Sequence, residues 1–90
     1  MTGDELATHA TRLLVQFLSG ITGDAEHASG RELVALLGGN QHTQEAYNKL
    51  AKALAEGRDD ESLQVALRSQ LEKAFAEDEG FRAEIEALLR

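Results

Sequence analysis

The side chains able to do chemistry are few and dispersed along the chain. Its three histidines, His9, His27 and His42, lack the paired spacing that a zinc site needs. Glu5 and His9 stand one helical turn apart and could touch a cation together, yet a closed zinc site takes four ligands, so they read as a surface pair. Ser19, Ser29, Ser62 and Ser69 have no nucleophile-elbow context and no histidine with a supporting acid to activate them. The grouped carboxylates Asp59, Asp60, Glu61, Glu77, Asp78 and Glu79 fall where helix ends are expected, and there a solvated charge favours the helix dipole. The glycines at Gly20, Gly23, Gly38 and Gly39 follow helical patterns rather than strands, which argues against a phosphate-cradling loop. Cysteine is absent, so no disulfide, thiolate ligand or thiol nucleophile exists. The expectation is a protein that is not an enzyme and uses neither cofactor nor metal.

The elements that carry these residues read as helices throughout. Thr2 and Glu5 have the capping-box spacing, with Met1 and Leu6 placed as a hydrophobic staple. Leu6, Ala10, Leu13, Leu14, Phe17, Leu18 and Ile21 then follow one apolar stripe, opposite Glu5, His9, Arg12 and Gln16. A stop is expected between Gly20 and Gly23. Ser29 and Glu32 repeat the box, Ala28 and Leu33 a weak staple, and Gly38-Gly39 would close a short second helix whose run Leu33 to Leu37 is apolar almost all round. That run suits a central helix of the bundle or one that meets another chain. Asn40 or Thr43 can cap a third helix ending near Gly57, the Asp59-Asp60-Glu61 group opens a fourth, and Asp78 can cap a fifth.

β-Branched residues are scarce, proline is absent and no segment alternates with a period of two, so strands are not expected. The fold class is therefore all-α: residues 1–90 as one domain, a compact bundle of about five short antiparallel helices. A six-helix death-domain-like bundle results if the first or fourth helix breaks. A net charge of −7 opposes binding to nucleic acid, and the longest mainly apolar stretch, Leu13 to Ile21, is too short for membrane insertion. A cytoplasmic location is expected.

Two stretches resemble known families. Glu61-Ser62-Leu63, followed by Ala66-Leu67-Arg68 and Leu71-Glu72-Lys73, resembles the phosphopantetheine-serine helix of acyl carrier proteins, which would make Ser62 the modified residue. Asp60-Glu61 precedes that serine where the family has a Gly-x-Asp. Leu63 to Leu89, with Ala76-Glu77-Asp78-x-x-Phe81-x-x-Glu84-Ile85-x-x-Leu88-Leu89, resembles the helical ending of small actinobacterial proteins that show Ala-Glu-Asp-Pro-x-Leu-x-x-Glu-Leu there; Glu79 replaces the proline and Phe81 the leucine. That resemblance implies an adaptor or effector-associated module of bacterial conflict or immune signalling. The expected function is protein–protein interaction as an adaptor, with a protein partner or with itself, self-association into a homo-oligomer being the expectation. Val15 and Val65, apolar residues on otherwise polar helix sides, and the second-helix residues Leu33, Val34 and Leu37 are the candidate contacts.

Overall fold

The computed structural model describes residues 2–20 and 23–90. They form five α-helices: α1 (Gly3–Ser19), α2 (Asp24–Leu37), α3 (Gln41–Ala55), α4 (Glu61–Glu77) and α5 (Glu79–Leu89). Short-range chemistry accounts for most of the boundaries. The Thr2 hydroxyl oxygen accepts from the Glu5 amide at 3.1 Å, so Thr2 is the expected N-cap, and the Glu5 carboxylate turns back to accept from the Thr2 hydroxyl, not from the backbone amide of a full capping box. Asn40 rather than Thr43 caps α3, accepting from the Thr43 amide at 3.0 Å. Thr43 is buried behind it, its hydroxyl donating to the Asn40 carbonyl. Asp60 and Asp78 cap α4 and α5 through the amides of Ser62 and Phe81. Gly20 adopts φ 72° directly after α1, the left-handed turn that a Cβ would strain, and Gly57 does the same after α3. Met1 of the expected staple and Ile21 of the first stripe lie outside the described residues.

The start of α2 departs from expectation. Ser29 and Glu32 do not open the helix; Gly23 is its N-cap, and Ser29 and His27 lie within α2. His42 sits in the first turn of α3. Gly30, at mid-helix, is kept small by a neighbour: a Cβ there would stand 2.7 Å from Cδ1 and 2.9 Å from Cγ of Phe17. The Phe17 ring thus lies on the α2 backbone, with His27 tilted against it at a centroid distance of 5.0 Å.

Among the described residues α1 packs against all four other helices, whereas α2 does not meet α4 and α3 does not meet α5. The central helix is therefore α1, and α2 flanks it. Leu6, Ala7, Ala10, Thr11, Leu13 and Leu14 are buried on α1 and span an arc of about 160° at 100° per residue, wider than a single stripe. Leu33 and Leu37 of α2, Tyr47, Leu50 and Ala53 of α3, Leu67, Leu71 and Phe75 of α4, and Phe81 and Ile85 of α5 complete the core. The aromatic rings of Phe75 and Phe81 meet at 5.9 Å, joining α4 to α5. Ala66, expected on the core stripe of α4, is exposed instead. α1 and α4 each run unbroken for 17 residues, so the bundle has five helices among the described residues rather than the six of a death-domain-like arrangement.

The Phe17 contact generates a test. Gly30→Ala should lower stability by about 1 kcal/mol, because overpacking against the ring outweighs the helix propensity gained. Gly80→Ala, at an exposed position of α5 whose added Cβ meets only Asp78 Oδ1 at 3.4 Å, should be neutral or stabilising. Urea denaturation of both variants reads the difference in sign.

Candidate interaction groove between the first and fourth helices

Asp4 in the first turn of α1 meets Glu72 near the end of α4, so these two helices run antiparallel. The path of α4 along α1 brings together residues that the sequence leaves far apart. Thr8, Thr11, Arg12, Val15 and Gln16 form one wall of a groove, and Glu61, Gln64, Val65 and Arg68 form the other. Its volume is about 260 Å³. Val15 and Val65, singled out separately, share this groove. Val15 lies at the edge of the buried arc of α1 and is half-buried, while Val65 is 44% exposed and is the one large hydrophobic residue left exposed among the described residues.

The remaining candidate contacts are distributed differently. Leu33 and Leu37 are wholly buried in the chain's own core, and Val34 is half-buried against it. The apolar run of α2 is covered on its inner side by α1, α3 and α5, which uses its leucines for folding and corrects their expected place on a partner-facing surface. What sequence reasoning missed is the basic pair beside the valines. Arg12 and Arg68 come from facing helices; the signal was present only as isolated cations on two amphipathic patterns.

Electrostatics differ along the groove. The Arg68 Nε lies 3.8 Å from a Glu72 carboxylate oxygen, an ion pair too long for a hydrogen bond, and this Nε is buried without a hydrogen-bond partner. Arg12 is exposed and has no ion pair or hydrogen bond among the described residues. A hydrogen bond with the Asp4 carboxyl, followed by desolvation and the Asp4 charge, raises the Glu72 pKa above its ordinary value even though Arg68 opposes the shift. At the other end, the Ser62 hydroxyl donates to Asp60 Oδ1 at 2.5 Å and, as the largest cause, holds the Asp60 carboxyl below the ordinary range. Ser62 is exposed in the first turn of α4, and this bond makes it part of the helix cap.

The histidines stand on three different helices: His9 on α1, His27 on α2 and His42 on α3. Among the described residues no group of three or more His, Asp or Glu side chains is placed to hold a metal ion. Nor is any helix of the described residues long and apolar enough to cross a membrane. Compared with known protein families, with curated proteins and with solved structures, the chain matches none of them. The described residues define an all-α bundle with a partly apolar, arginine-bearing cleft between α1 and α4.

The Glu72 shift has a definite sign. Ionising this carboxyl costs the folded chain more than the unfolded one, so the penalty is present above the folded pKa and vanishes below the ordinary glutamate value. Glu72→Gln should therefore raise the melting temperature at pH 7. The advantage should disappear below about pH 4, as thermal melts across pH will show.

Proposed function

We propose that the chain is a non-enzymatic protein-interaction domain whose working surface is the α1–α4 groove. The observation that carries this reading is the convergence of Val15 and Val65. β-Branched apolar side chains gain nothing from water, and both lie at one cleft instead of at unrelated points of the surface. Helix grooves of this kind receive apolar side chains of a partner segment. The resemblance of the Leu63 to Leu89 stretch to small actinobacterial proteins supports an adaptor of bacterial conflict or immune signalling as the setting.

Burial bears on whether self-association completes the fold. The accessible surface is 5370 Å², close to the roughly 5200 Å² expected of a folded monomer of this mass. Among the described residues, a single exposed large hydrophobic side chain falls short of the roughly 800 Å² per partner typical of a stable interface. A transient contact with another protein suits this surface better than a permanent dimer.

A photo-crosslinking amino acid placed at Val65 in the source cells should give one discrete adduct that the same group at exposed Glu84 does not. Equal adducts at both positions, or none at Val65, would count against the reading. The carrier resemblance has its own test: the capping role of Ser62 leads us to expect no mass increase after incubation with a phosphopantetheinyl transferase and coenzyme A.

A further inference from the structure

We infer that the α1–α4 groove receives a basic amphipathic helix of a partner protein. An aliphatic side chain of that helix is seated on Val15 and Val65, and a cationic side chain stands near each end, one beside Asp4, Glu5 and Glu72 and the other beside Asp59, Asp60 and Glu61. The inference rests on the groove being the interaction surface and adds the chemistry of its occupant. Both acidic groups are fixed to the groove by contacts within the chain. At the Thr8 end, Asp4 meets Glu72, and Asp4 and Glu5 line the hollow that continues from the groove past Thr8 and Arg12. At the Gln16 end, Glu61 belongs to the groove wall, Asp60 caps α4 beside it, and Asp59 accepts from Gln64 Nε2 of the same wall at 3.2 Å.

These carboxyl groups bracket the two arginines of the groove and outnumber them. Arg68 stands 3.8 Å from Glu72 and so offsets a charge within its own group, and Arg12 alone cannot offset the rest. Arg58, whose charge reaches Asp60, is engaged by Glu56 at 3.3 Å, and Lys73 points about 100° round α4 from Glu72. The local excess has the same sign as the −7 of the whole chain, so long-range steering and short-range pairing favour the same partner. The hydrogen bond with Asp4, ahead of desolvation, raises the Glu72 pKa; a cation placed there would draw it down and relieve a cost that the free domain carries. Spacing adds a geometric requirement. Glu61 and Glu72 are eleven residues apart, three turns of α4 and roughly 16 Å, so they fall on one side of the helix. A helix lying along the groove has the same rise. Basic residues eleven apart then reach both acidic groups, while residues four and seven along, on the same face, cover the valines. An acidic helix would meet like charge at both ends, and a second copy brings its own −7 to the encounter.

Three fluorescein-labelled helical peptides of about eighteen residues, long enough to hold helix, test the inference. All carry the same aliphatic pair. The first has two lysines eleven apart flanking that pair on its face, the second has glutamates in their place, and the third has the same lysines moved to the opposite face. In fluorescence anisotropy at about 0.15 M salt, the first should bind about tenfold more tightly than the second, because two exposed contacts change sign, and several times more tightly than the third. Glu61→Gln and Glu72→Gln should each weaken the first peptide about threefold, and Val65→Asn should weaken it as well. Since Glu72→Gln is expected to stabilise the fold, its loss of affinity would not come from unfolding; circular dichroism checks the other two variants. Equal binding of the first peptide and either control, preference for glutamate, unchanged affinity in both glutamine variants, or no binding of the first peptide at millimolar concentration would overturn the inference. So would a dimer in sedimentation that Val65→Asn dissolves, because the occupant would then be a second copy. A Val65 crosslink that persists when the peptide result is negative would remove only the basic helix and leave the interaction reading standing.

Discussion

The burial of α1 on more than one side is the constraint on which the rest of the structure depends. A helix that touches four others needs an apolar arc of close to half its circumference, and α1 supplies it with a mixture of sizes: Leu6, Leu13 and Leu14 fill space, while Ala7 and Ala10 permit close approach. Thr11 can be included because its hydroxyl donates to the Ala7 carbonyl at 2.8 Å, which removes the cost of burying an unpaired polar group. Everything outside that arc follows from it. With α4 and α2 both packed on α1, the polar residues Glu5, His9 and Arg12 are left exposed on the central helix and Gln16 is half-buried.

The groove is a by-product of where this arc stops. Val15 stands at its boundary, too far round to be enclosed, and α4 meets that boundary with Val65 rather than with one of its core leucines. Closing the gap would need larger side chains at these two positions. Valine instead leaves a shallow apolar floor between arginine and glutamine walls. The packing that stabilises the domain and the surface that could engage another protein are therefore adjacent parts of the same helix pair, and a substitution at the boundary can alter one without disrupting the other.

What could be read from sequence divides along the range of the interaction concerned. The caps at Thr2 and Asp78, the choice of Asn40 or Thr43 and the stops near Gly20 and Gly57 involve contacts within a few residues, and local spacing was enough to propose them, whereas the Asp59-Asp60-Glu61 group marked the start of α4 without singling out Asp60 as its cap. The start of α2 was misplaced because Ser29 and Glu32 imitate a capping box, while the true reason for Gly30 is a ring from another helix. Val15 and Val65 could be noticed one at a time as misplaced apolar residues. Their meeting, and that of Arg12 with Arg68, depends on the antiparallel course of α1 and α4, which no local pattern encodes.

Asp78 serves two helices at once. Its backbone amide donates to the Ala74 carbonyl at 2.8 Å, closing α4, while its side chain accepts from the Phe81 amide at 3.0 Å, opening α5. With one residue between them, and with Phe75 against Phe81 across the corner, α4 and α5 share a joint that has no slack. An added residue there would rotate α5 relative to its packing surface and separate the two rings. The connection from Glu56 to Asp60, with exposed Gly57 at its bend, has no such double duty. Lengthening of the chain by insertion, or grafting of a loop onto this scaffold, is thus directed to the α3–α4 turn and away from the α4–α5 corner.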